Sequence, residues 1–381
     1  MSAAAKPTNR PAPLQGVRVV DFSTLLPGPL CSLLLCEAGA EVIKVERPDS
    51  GDEMRSYVPR FADTSVNFAL LNRGKRSVAL DLKSPEGVEA ARELIAGADV
   101  LIEQFRPGVM ERLGLGHEAL LSAHPQLIYC SVTAWGQNGP LANVAAHDLN
   151  FQAEAGLLGM TAGIDGMPGL PQALVGDIAG GAYPALMNIL LALRARDSGA
   201  GGCHLDISMT DNLFTLMYWG LGNGFSASHW PTPGSDLVTG CTPRYQIYRT
   251  RDGKHLAAAP LEQKFWKNFL RVLDANHLLD DSADPGGVRD AVAKIVATRT
   301  ANEWEQLFHG VDACVNVVRS LQEAVAHPHF RERGVFASQV SAANGDSMPA
   351  LPVPVAPILR DANVGTQVSS PRLGEGNGEL L

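Results

Sequence analysis

The stretch VRVVDFSTLLPGPLCSLLLCEAGAEVIKVE, residues 17–46, decides the fold class of this chain. Residues 17–22 form a short β-rich run, and residues 41–46 form a second one. Between them, residues 29–38 are apolar helix formers, and Gly39 supplies a helix stop. A strand, a helix and a second strand in this order predict a βαβ unit.

The same order of elements continues beyond this unit. The further predicted elements are a strand at 78–83, a helix at 86–97 and strands at 99–103 and 127–132. Strands that alternate with helices form parallel sheets with helices on both faces, so the fold class is α/β and Rossmann-like. Ligands of such sheets bind beyond the carboxyl ends of the strands.

A smaller α+β region follows after about residue 230. Two β-rich runs, 245–250 and 255–260, flank the turn residues Asp252 and Gly253 and predict a hairpin. Helical patterns follow at 262–273, at 286–298 and after the capping-box residue Thr300. We predict a flexible tail at 1–13, a large domain at 14–229, a small domain at 230–320 and a C-terminal segment at 321–381 that returns to the large domain.

Composition excludes several classes of protein. The 381 residues are 45% hydrophobic and 19% charged, which is typical of a folded domain and not of a disordered chain. The net charge of −9 argues against a nucleic-acid partner. Interrupted apolar runs predict no membrane span, and six singly placed cysteines predict reduced, structural thiols in a cytoplasmic protein. The chain lacks dinucleotide, P-loop, nucleophile-elbow and zinc-protease motifs, and we predict no metal site.

Three side chains are candidates for acid–base chemistry, each with a structural alternative. His147 is predicted at the start of a helix that runs to about Met160, where the helix dipole favours a neutral imidazole that can act as a base. Asp177 precedes an apolar helix over 181–193, and glycines in its first turn would admit a ligand to the helix start. Glu262 begins a small-domain helix. Ordinary capping or packing is the alternative role for each of them.

Basic residues also stand near predicted strands of the large domain. Arg47 follows the strand at 41–46, and Arg73, Lys75 and Arg76 lie on a loop before the strand at 78–83. Arginine suits bidentate contacts to phosphate, so these residues are candidates for phosphate binding. A solvated charged loop is the alternative interpretation.

Taken together, these blocks of sequence resemble the class III CoA-transferase (CaiB/BaiF) family, which includes the α-methylacyl-CoA racemases. The resemblance extends from Leu14 to the C-terminus. Its blocks are LQGVRVVD (14–21), PGP (27–29), AGAEVIKVERP (38–48), NRGKRSVALDLK (72–83), FRPGV (105–109) and WGQNGP (135–140).

The resemblance implies a CoA-thioester enzyme in which two chains interlock as a homodimer. It implies that CoA lies mainly on the large domain and enters as part of the substrate, with no tightly bound cofactor. The residues that match the family's positions near the CoA phosphates and adenine are Arg47, Arg73, Lys75, Arg76 and Arg106. Residues 160–173 are a candidate mobile loop over the site, and the acyl group is not selected by the sequence.

The family contains two chemistries that use the same aspartate. In the racemases, residues matching His147 and Asp177 transfer the α-proton of a 2-methylacyl-CoA through an enolate, and a residue matching Glu262 supports them. In the transferases, the residue matching Asp177 is a nucleophile that passes CoA to a carboxylic-acid acceptor. His147, Asp177 and Glu262 together favour the racemase. CoA transfer is the alternative, and a non-catalytic CoA-binding protein is a minor one.

Overall fold

The structure of the protein is a computed structural model that describes residues 12–161, 167–342, 344–361 and 367–381. The described chain forms a larger compact unit, which contains residues 12–155, 171–216 and 328–381, and a smaller one, which contains 156–161, 167–170 and 217–327. The predicted domain boundaries stay predictions; the larger unit stops at Leu216 and resumes at Pro328. Most of the predicted tail and residues 162–166 of the candidate mobile loop lie outside the described residues.

The regular elements alternate along the larger unit as a βαβ order requires. The strands are β1 (Arg18–Asp21), β2 (Glu41–Glu46), β3 (Arg60–Phe61), β4 (Thr64–Ser65), β5 (Arg76–Ala79), β6 (Val100–Glu103), β7 (Ile128–Thr133), β8 (Cys203–Ser208), β9 (Gln246–Arg249), β10 (His255–Ala258), β11 (Val315–Val317), β12 (Gln339–Ser341), β13 (Ser347–Pro349) and β14 (Gln367–Ser369). The α-helices are α1 (Pro27–Glu37), α2 (Val66–Asn72), α3 (Pro85–Ala96), α4 (Val109–Arg112), α5 (His117–Ala123), α6 (Asp148–Glu154), α7 (Tyr183–Asp197), α8 (Met209–Leu213), α9 (Tyr218–Ala227), α10 (Gln263–Val272), α11 (Pro285–Val296), α12 (Ala301–Phe308), α13 (Leu321–Val325), α14 (Pro328–Glu332) and α15 (Asn377–Leu380). A π-helical segment, Gly176–Ala182, leads directly into α7.

The larger unit is built on a six-stranded parallel sheet. The strand order is β5-β2-β1-β6-β7-β8, and every neighbouring pair is parallel. Helix α1 is buried along all eleven residues, which explains why its sequence is apolar on every side. The predicted α/β class is therefore confirmed, and the carboxyl ends of all six strands meet at one edge.

Two details of this sheet differ from the sequence prediction. The strand predicted at 78–83 occupies Arg76–Ala79, because the chain turns after Leu80 toward the Ser84 cap of α3. Strand β8 was not predicted. Its sequence, CHLDIS, contains a histidine and an aspartate, so it lacks the apolar run typical of a buried strand.

The smaller unit has a three-stranded antiparallel sheet with helices packed against it. The hairpin β9–β10 forms as predicted, and β11 pairs with β10 on its other side. Thr300 and Glu303 make the predicted capping box: the Thr300 hydroxyl accepts from the Glu303 amide at 3.2 Å, and the Glu303 carboxylate accepts from the Thr300 amide at 2.7 Å. Trp266 and Trp304 are buried in the core of this unit.

The helical stretch Gly176–Asp197 is long and apolar enough to cross a membrane by length and composition alone. It has 22 residues, and its 18-residue window has a mean hydropathy of 1.3 and is 39% buried inside the protein. Length and composition alone do not test the prediction that the chain has no membrane span. A core helix of a soluble protein meets the same test, so the absence of a membrane partner and the cytoplasmic location stay predictions.

Candidate active site

A cavity of about 350 Å³ opens at the carboxyl edge of the sheet in the larger unit. Its floor consists of residues that end or directly follow three neighbouring strands: Gln104 after β6, Thr133 at the end of β7 and Met209 after β8. Its wall includes His147 and Phe151 at the start of α6. We call it the His147 cavity. Its place matches the general rule for ligands of parallel sheets.

His147 caps α6 through its backbone. Its backbone amide donates to the Asn150 side-chain oxygen at 3.0 Å, and His147 is exposed. The predicted position of His147 at a helix start is confirmed. The helix itself is shorter than predicted and ends at Glu154.

A buried carboxylate connects the segments that contain His147 and Asp177. Asp148, the residue after His147, is 6% exposed, and its carboxylate accepts from the backbone amide of Asp177 at 3.0 Å. The same carboxylate accepts from the Gln152 amide group at 2.6 Å. The bond to the Asp177 amide holds the start of α6 against the start of the π-helical segment, so His147 and Asp177 lie in one region of the larger unit.

Asp177 is a half-buried carboxyl group whose charge is disfavoured. Burial raises its pKa to about 7, and the nearby negative charge of Asp148 contributes to the same shift. Near neutral pH both its acid and its base form are therefore populated. Such a group can accept a proton in one step and return it in the next. Perturbed carboxyls of this kind are typical of functional sites.

The glycines after Asp177 serve packing between helices rather than ligand access. A Cβ atom at Gly180 would lie 2.2 Å from the Met209 carbonyl oxygen, and one at Gly181 would lie 3.0 Å from the Met209 sulfur. The expectation that they open the helix start to a ligand is therefore wrong. Protein atoms already occupy the space that these glycines leave.

Two of the five predicted CoA-binding cations lie at the carboxyl edge. Arg106 follows β6, lines the His147 cavity and is exposed; within the described part of the chain its guanidinium has no hydrogen-bond or ion-pair partner. Arg47 follows β2 and lines a second cavity of about 790 Å³, where it pairs with Glu53 at 2.8 Å. We call this second space the Arg47 cavity. Phe105 lines both cavities, so the two spaces are neighbours.

Arg73 and Lys75 are not brought to this edge as available groups. Arg73 is 2% exposed, pairs with Glu37 at 2.7 Å and donates to the carbonyl oxygens of Leu70 and Leu351. Lys75 is 4% exposed and donates to the Asn72 side-chain oxygen and the Pro29 carbonyl at 2.8 and 2.9 Å. Both side chains use their donors inside the protein.

Lys75 belongs to a buried ionic cluster that consists of Asp21, Lys44, Asp52 and Lys75. Lys44 pairs with Asp52 at 2.9 Å, and Lys75 lies 3.5 Å from Asp21; all four side chains are fully buried. Burial lowers the pKa of Lys75 to about 8, and the Asp21 charge opposes that shift. The cluster fastens β1 and β2 to the loops beyond them.

Arg76 lies at the opposite edge of the sheet. It is the first residue of β5, and its guanidinium pairs with Glu41 at 3.2 Å and with Glu379 at 2.7 Å. Glu41 also pairs with Arg18 at 2.8 Å. These ion pairs join the amino ends of three strands to the C-terminal helix, away from both cavities.

Glu262 lies in the smaller unit. It is exposed and occupies the residue before α10, as predicted, but its carboxylate makes no capping hydrogen bond to that helix. Its predicted supporting role stays a prediction.

Asp148 is the site residue that sequence analysis did not single out. Its place directly after a candidate base, at a predicted helix start, was the available signal. A helix-start aspartate is ordinarily a solvated cap, however, and its burial against the Asp177 amide depends on contacts between distant segments.

A parallel sheet whose carboxyl edge has a cavity lined by a histidine and by an arginine without a partner among the described residues is typical of α/β enzymes that bind a small molecule there. The model of the protein family described as CoA-transferase family III matches residues 14–377. The chain belongs to that family. The resemblance found in the sequence is thereby confirmed, and the protein is an enzyme of the class that contains acyl-CoA racemases and CoA-transferases.

Curated relatives fall into both reaction types. The chain is 37% identical over 373 residues to a mouse protein named α-methylacyl-CoA racemase, with 97% of this chain and 92% of the relative covered. It is 34% identical over 336 residues to mouse succinyl-CoA:glutarate CoA-transferase, with 85% and 76% covered. The crystal structure of a CaiB/BaiF family protein from Brucella suis superposes with a TM-score of 0.81 at 27% identity and covers 98% of this chain and 100% of its own.

Proposed function

We propose that the protein is a 2-methylacyl-CoA racemase in which one of His147 and Asp177 removes the α-proton and the other supplies a proton to the opposite face of the carbon. The observation that carries this proposal is the hydrogen bond from the Asp177 amide to Asp148, because it ties Asp177 to the residue that follows His147. The identity to the racemase named above supports the same reaction. CoA enters as part of the substrate.

The proposed reaction needs one group that is a base and one that is an acid at the same pH. A neutral imidazole at His147 removes the α-proton, and the two electrons of the C–H bond move into the thioester to form an enolate. The protonated carboxyl of Asp177, whose pKa is about 7, then gives its proton to the opposite face of the carbon. The reverse direction exchanges the two roles. Glu262 is retained as a supporting residue in this proposal.

Arg47 and Arg106 are the proposed CoA-binding cations. Both are exposed at the carboxyl edge, and each lines one of the two neighbouring cavities. Guanidinium groups suit phosphate by charge and by geometry. We leave Arg73 and Lys75 out of the proposed site because both are buried and paired inside the protein, and Arg76 because it lies at the opposite edge of the sheet.

Deuterium uptake tests the proposal directly. The protein is incubated with 2-methylbutanoyl-CoA in D2O without an acceptor acid, and incorporation is followed by mass spectrometry. We expect uptake from both enantiomers by the native protein and, in His147→Ala, a loss of at least about 100-fold for the enantiomer whose α-proton His147 removes, which is the usual scale for removal of a general base. His277→Ala, an exposed histidine of the smaller unit, is the matched control. Full uptake by His147→Ala from each of the two enantiomers would contradict the proposal.

CoA transfer is the second candidate, and the half-buried Asp177 carboxyl together with the identity to the glutarate transferase favours it. In that reaction the Asp177 carboxylate attacks the thioester carbonyl, an anhydride forms and CoA thiolate leaves. The thiolate then attacks the aspartyl carbonyl, which gives an aspartyl-CoA thioester and the free donor acid. An acceptor carboxylate takes CoA by the same two steps in reverse. Hydroxylamine trapping of acyl-Asp177 during turnover, with no uptake in D2O, would support this candidate.

We propose that a second copy of the chain covers one face of α7. Tyr183, Met187, Leu190 and Leu191 on this helix are between 40% and 61% exposed, although they are large and apolar. Exposed apolar patches of this kind mark protein interfaces. Light scattering of Leu191→Lys beside the native protein tests it, with Asp197→Lys as the control on the same helix. A monomeric mass for the native protein would contradict the proposed homodimer.

A further inference from the structure

Thr133 presents a buried hydroxyl group without a partner. It is the last residue of β7 and is 6% exposed. Its side-chain oxygen is shielded from solvent and makes no hydrogen bond to any residue that the structure describes. A buried hydroxyl left in this state costs free energy, because its hydrogen bonds to water are lost on folding and not replaced.

The neighbouring Thr210 shows what a structural threonine looks like at the same place. Thr210 is also 6% exposed, but its hydroxyl donates to the Ala134 carbonyl oxygen at 2.8 Å. That bond joins the loop after β7 to α8. Thr133 directly precedes Ala134 in the chain, and its hydroxyl makes no such bond. No described hydrogen bond therefore gives this hydroxyl a role in the fold.

Thr133 is one of the residues that line the floor of the His147 cavity. Arg106 and His147 line the same cavity, so a ligand that fills it lies against a cation, an imidazole and Thr133, whose shielded hydroxyl has to turn toward the cavity to meet it. A hydroxyl at the end of a buried strand is held by a rigid element, which makes it suitable for positioning a ligand group. The partner that Thr133 lacks in the folded chain would then be supplied by the ligand.

We propose that the Thr133 hydroxyl donates a hydrogen bond to a carbonyl oxygen of the acyl-CoA substrate, an inference that rests on the proposed CoA-thioester function. Two carbonyl groups of that substrate have the required chemistry: the thioester carbonyl, which gains negative charge as the enolate forms, and an amide carbonyl of the pantetheine arm. Thr133 is in this proposal a residue that contacts substrate. No covalent step involves it.

The experiment compares Thr133→Val, which replaces the hydroxyl by a methyl group, with Thr133→Ser, which keeps it. Thr64→Val is the matched control, because the Thr64 hydroxyl is also buried without a partner but lines a different cavity. The dissociation constants of free CoA and of 2-methylbutanoyl-CoA, the rate of deuterium uptake and the melting temperature are measured for all variants.

We expect the melting temperature of Thr133→Val to stay unchanged or to rise, because an unsatisfied polar group is removed. Substrate affinity or uptake should fall by about 5- to 10-fold, the usual scale for one neutral hydrogen bond, and Thr133→Ser should restore it. Weaker binding of both free CoA and the acyl-CoA assigns the bond to a pantetheine amide. A loss confined to the acyl-CoA or to uptake assigns it to the thioester.

Unchanged binding and unchanged uptake in Thr133→Val would overturn the proposal. So would an equal loss in Thr64→Val, or a lower melting temperature without any change in binding, since that result assigns the hydroxyl to the fold. Failure of the proposed function is a separate result: the native protein would then bind 2-methylbutanoyl-CoA without exchanging its α-proton. The binding measurements still decide the role of Thr133 in that case.

Discussion

Two groups of charged and polar residues associated with the same sheet have opposite surroundings. The buried ionic cluster, which includes Asp21 of β1, contains Lys44 and Lys75, and each of these ammonium groups has a protein partner. The His147 cavity beyond β6, β7 and β8 contains Arg106 and Thr133, whose polar groups have no partner within the described residues. A charged residue in a motif is thus structural where the folded protein supplies a hydrogen-bond or ion-pair partner for it. Where the folded protein supplies none, the residue is available for a ligand.

The largest effect should come from Asp177→Asn. This change removes the proton-carrying carboxyl but keeps its size and its backbone amide, so we expect uptake of deuterium to fall about 1000-fold with little change in melting temperature. Asp197→Asn, at the exposed end of α7, is the control. If Asp177→Asn keeps full uptake, as the control does, Asp177 has no part in the proton transfer.

Lys75→Met tests the buried side of the comparison. The change leaves Asp21 with one cation fewer and removes the donor to the Pro29 carbonyl and the Asn72 side chain. We expect the free energy of unfolding to fall by about 3 kcal/mol, as for other broken buried ion pairs. Urea denaturation measures this loss, and CoA binding by the folded fraction should stay unchanged. A stable variant that binds CoA weakly would instead return Lys75 to the ligand site.

Arg106→Ala should show the reverse pattern. Because Arg106 has no partner within the described chain, we expect the free energy of unfolding to change by less than about 0.5 kcal/mol. The affinity for CoA should fall by about 10-fold or more, the scale of one charge-assisted hydrogen bond. Calorimetric titration with CoA measures the affinity, and Lys294→Ala, an exposed cation of the smaller unit, shows how much of the loss is general charge. Equal losses in both variants would remove the special role of Arg106.

The smallest effect concerns stability and pH. The folded-state pKa of Asp177, about 7, lies above its ordinary value of 3.8, so the folded protein binds more protons than the unfolded chain between these values. This contribution to stability is present at low pH and is lost as pH rises toward 7, by about 1 kcal/mol after allowance for partial solvent exposure. Urea denaturation of the native protein and of Asp177→Asn at pH 5 and pH 8 measures the difference. Identical pH dependence in the two would show that Asp177 titrates normally.

Much of the fold is predictable from local sequence. The β-rich runs at 17–22 and 41–46, with an apolar helix between them, are close in sequence and follow general rules for βαβ units. The hairpin around Gly253 and the cap at Thr300 are equally local, and both form as predicted. Strand β8 was missed because a histidine and an aspartate interrupt its apolar pattern.

The candidate site, like the fold, is predictable only where the signal in the sequence is local. The sequence places His147 at a helix start, Asp177 before an apolar helix and basic residues beside strands, because helix signals and strand periodicity are local. It does not separate Arg106, whose guanidinium is open to a ligand, from Arg73, whose guanidinium is buried on Glu37. That distinction depends on which distant groups face each side chain.

The sequence by itself therefore determined the α/β class, the family and the identity of the acid–base candidates, since these depend on local patterns and on matched blocks of residues. Only the tertiary structure decided that Asp148 connects the segments of His147 and Asp177, that Lys75 is an internal ion-pair partner, and that the Thr133 hydroxyl is left without a protein partner. Burial and pairing involve residues far apart in the chain. They are properties of the packed molecule and are therefore not visible in any single stretch of sequence.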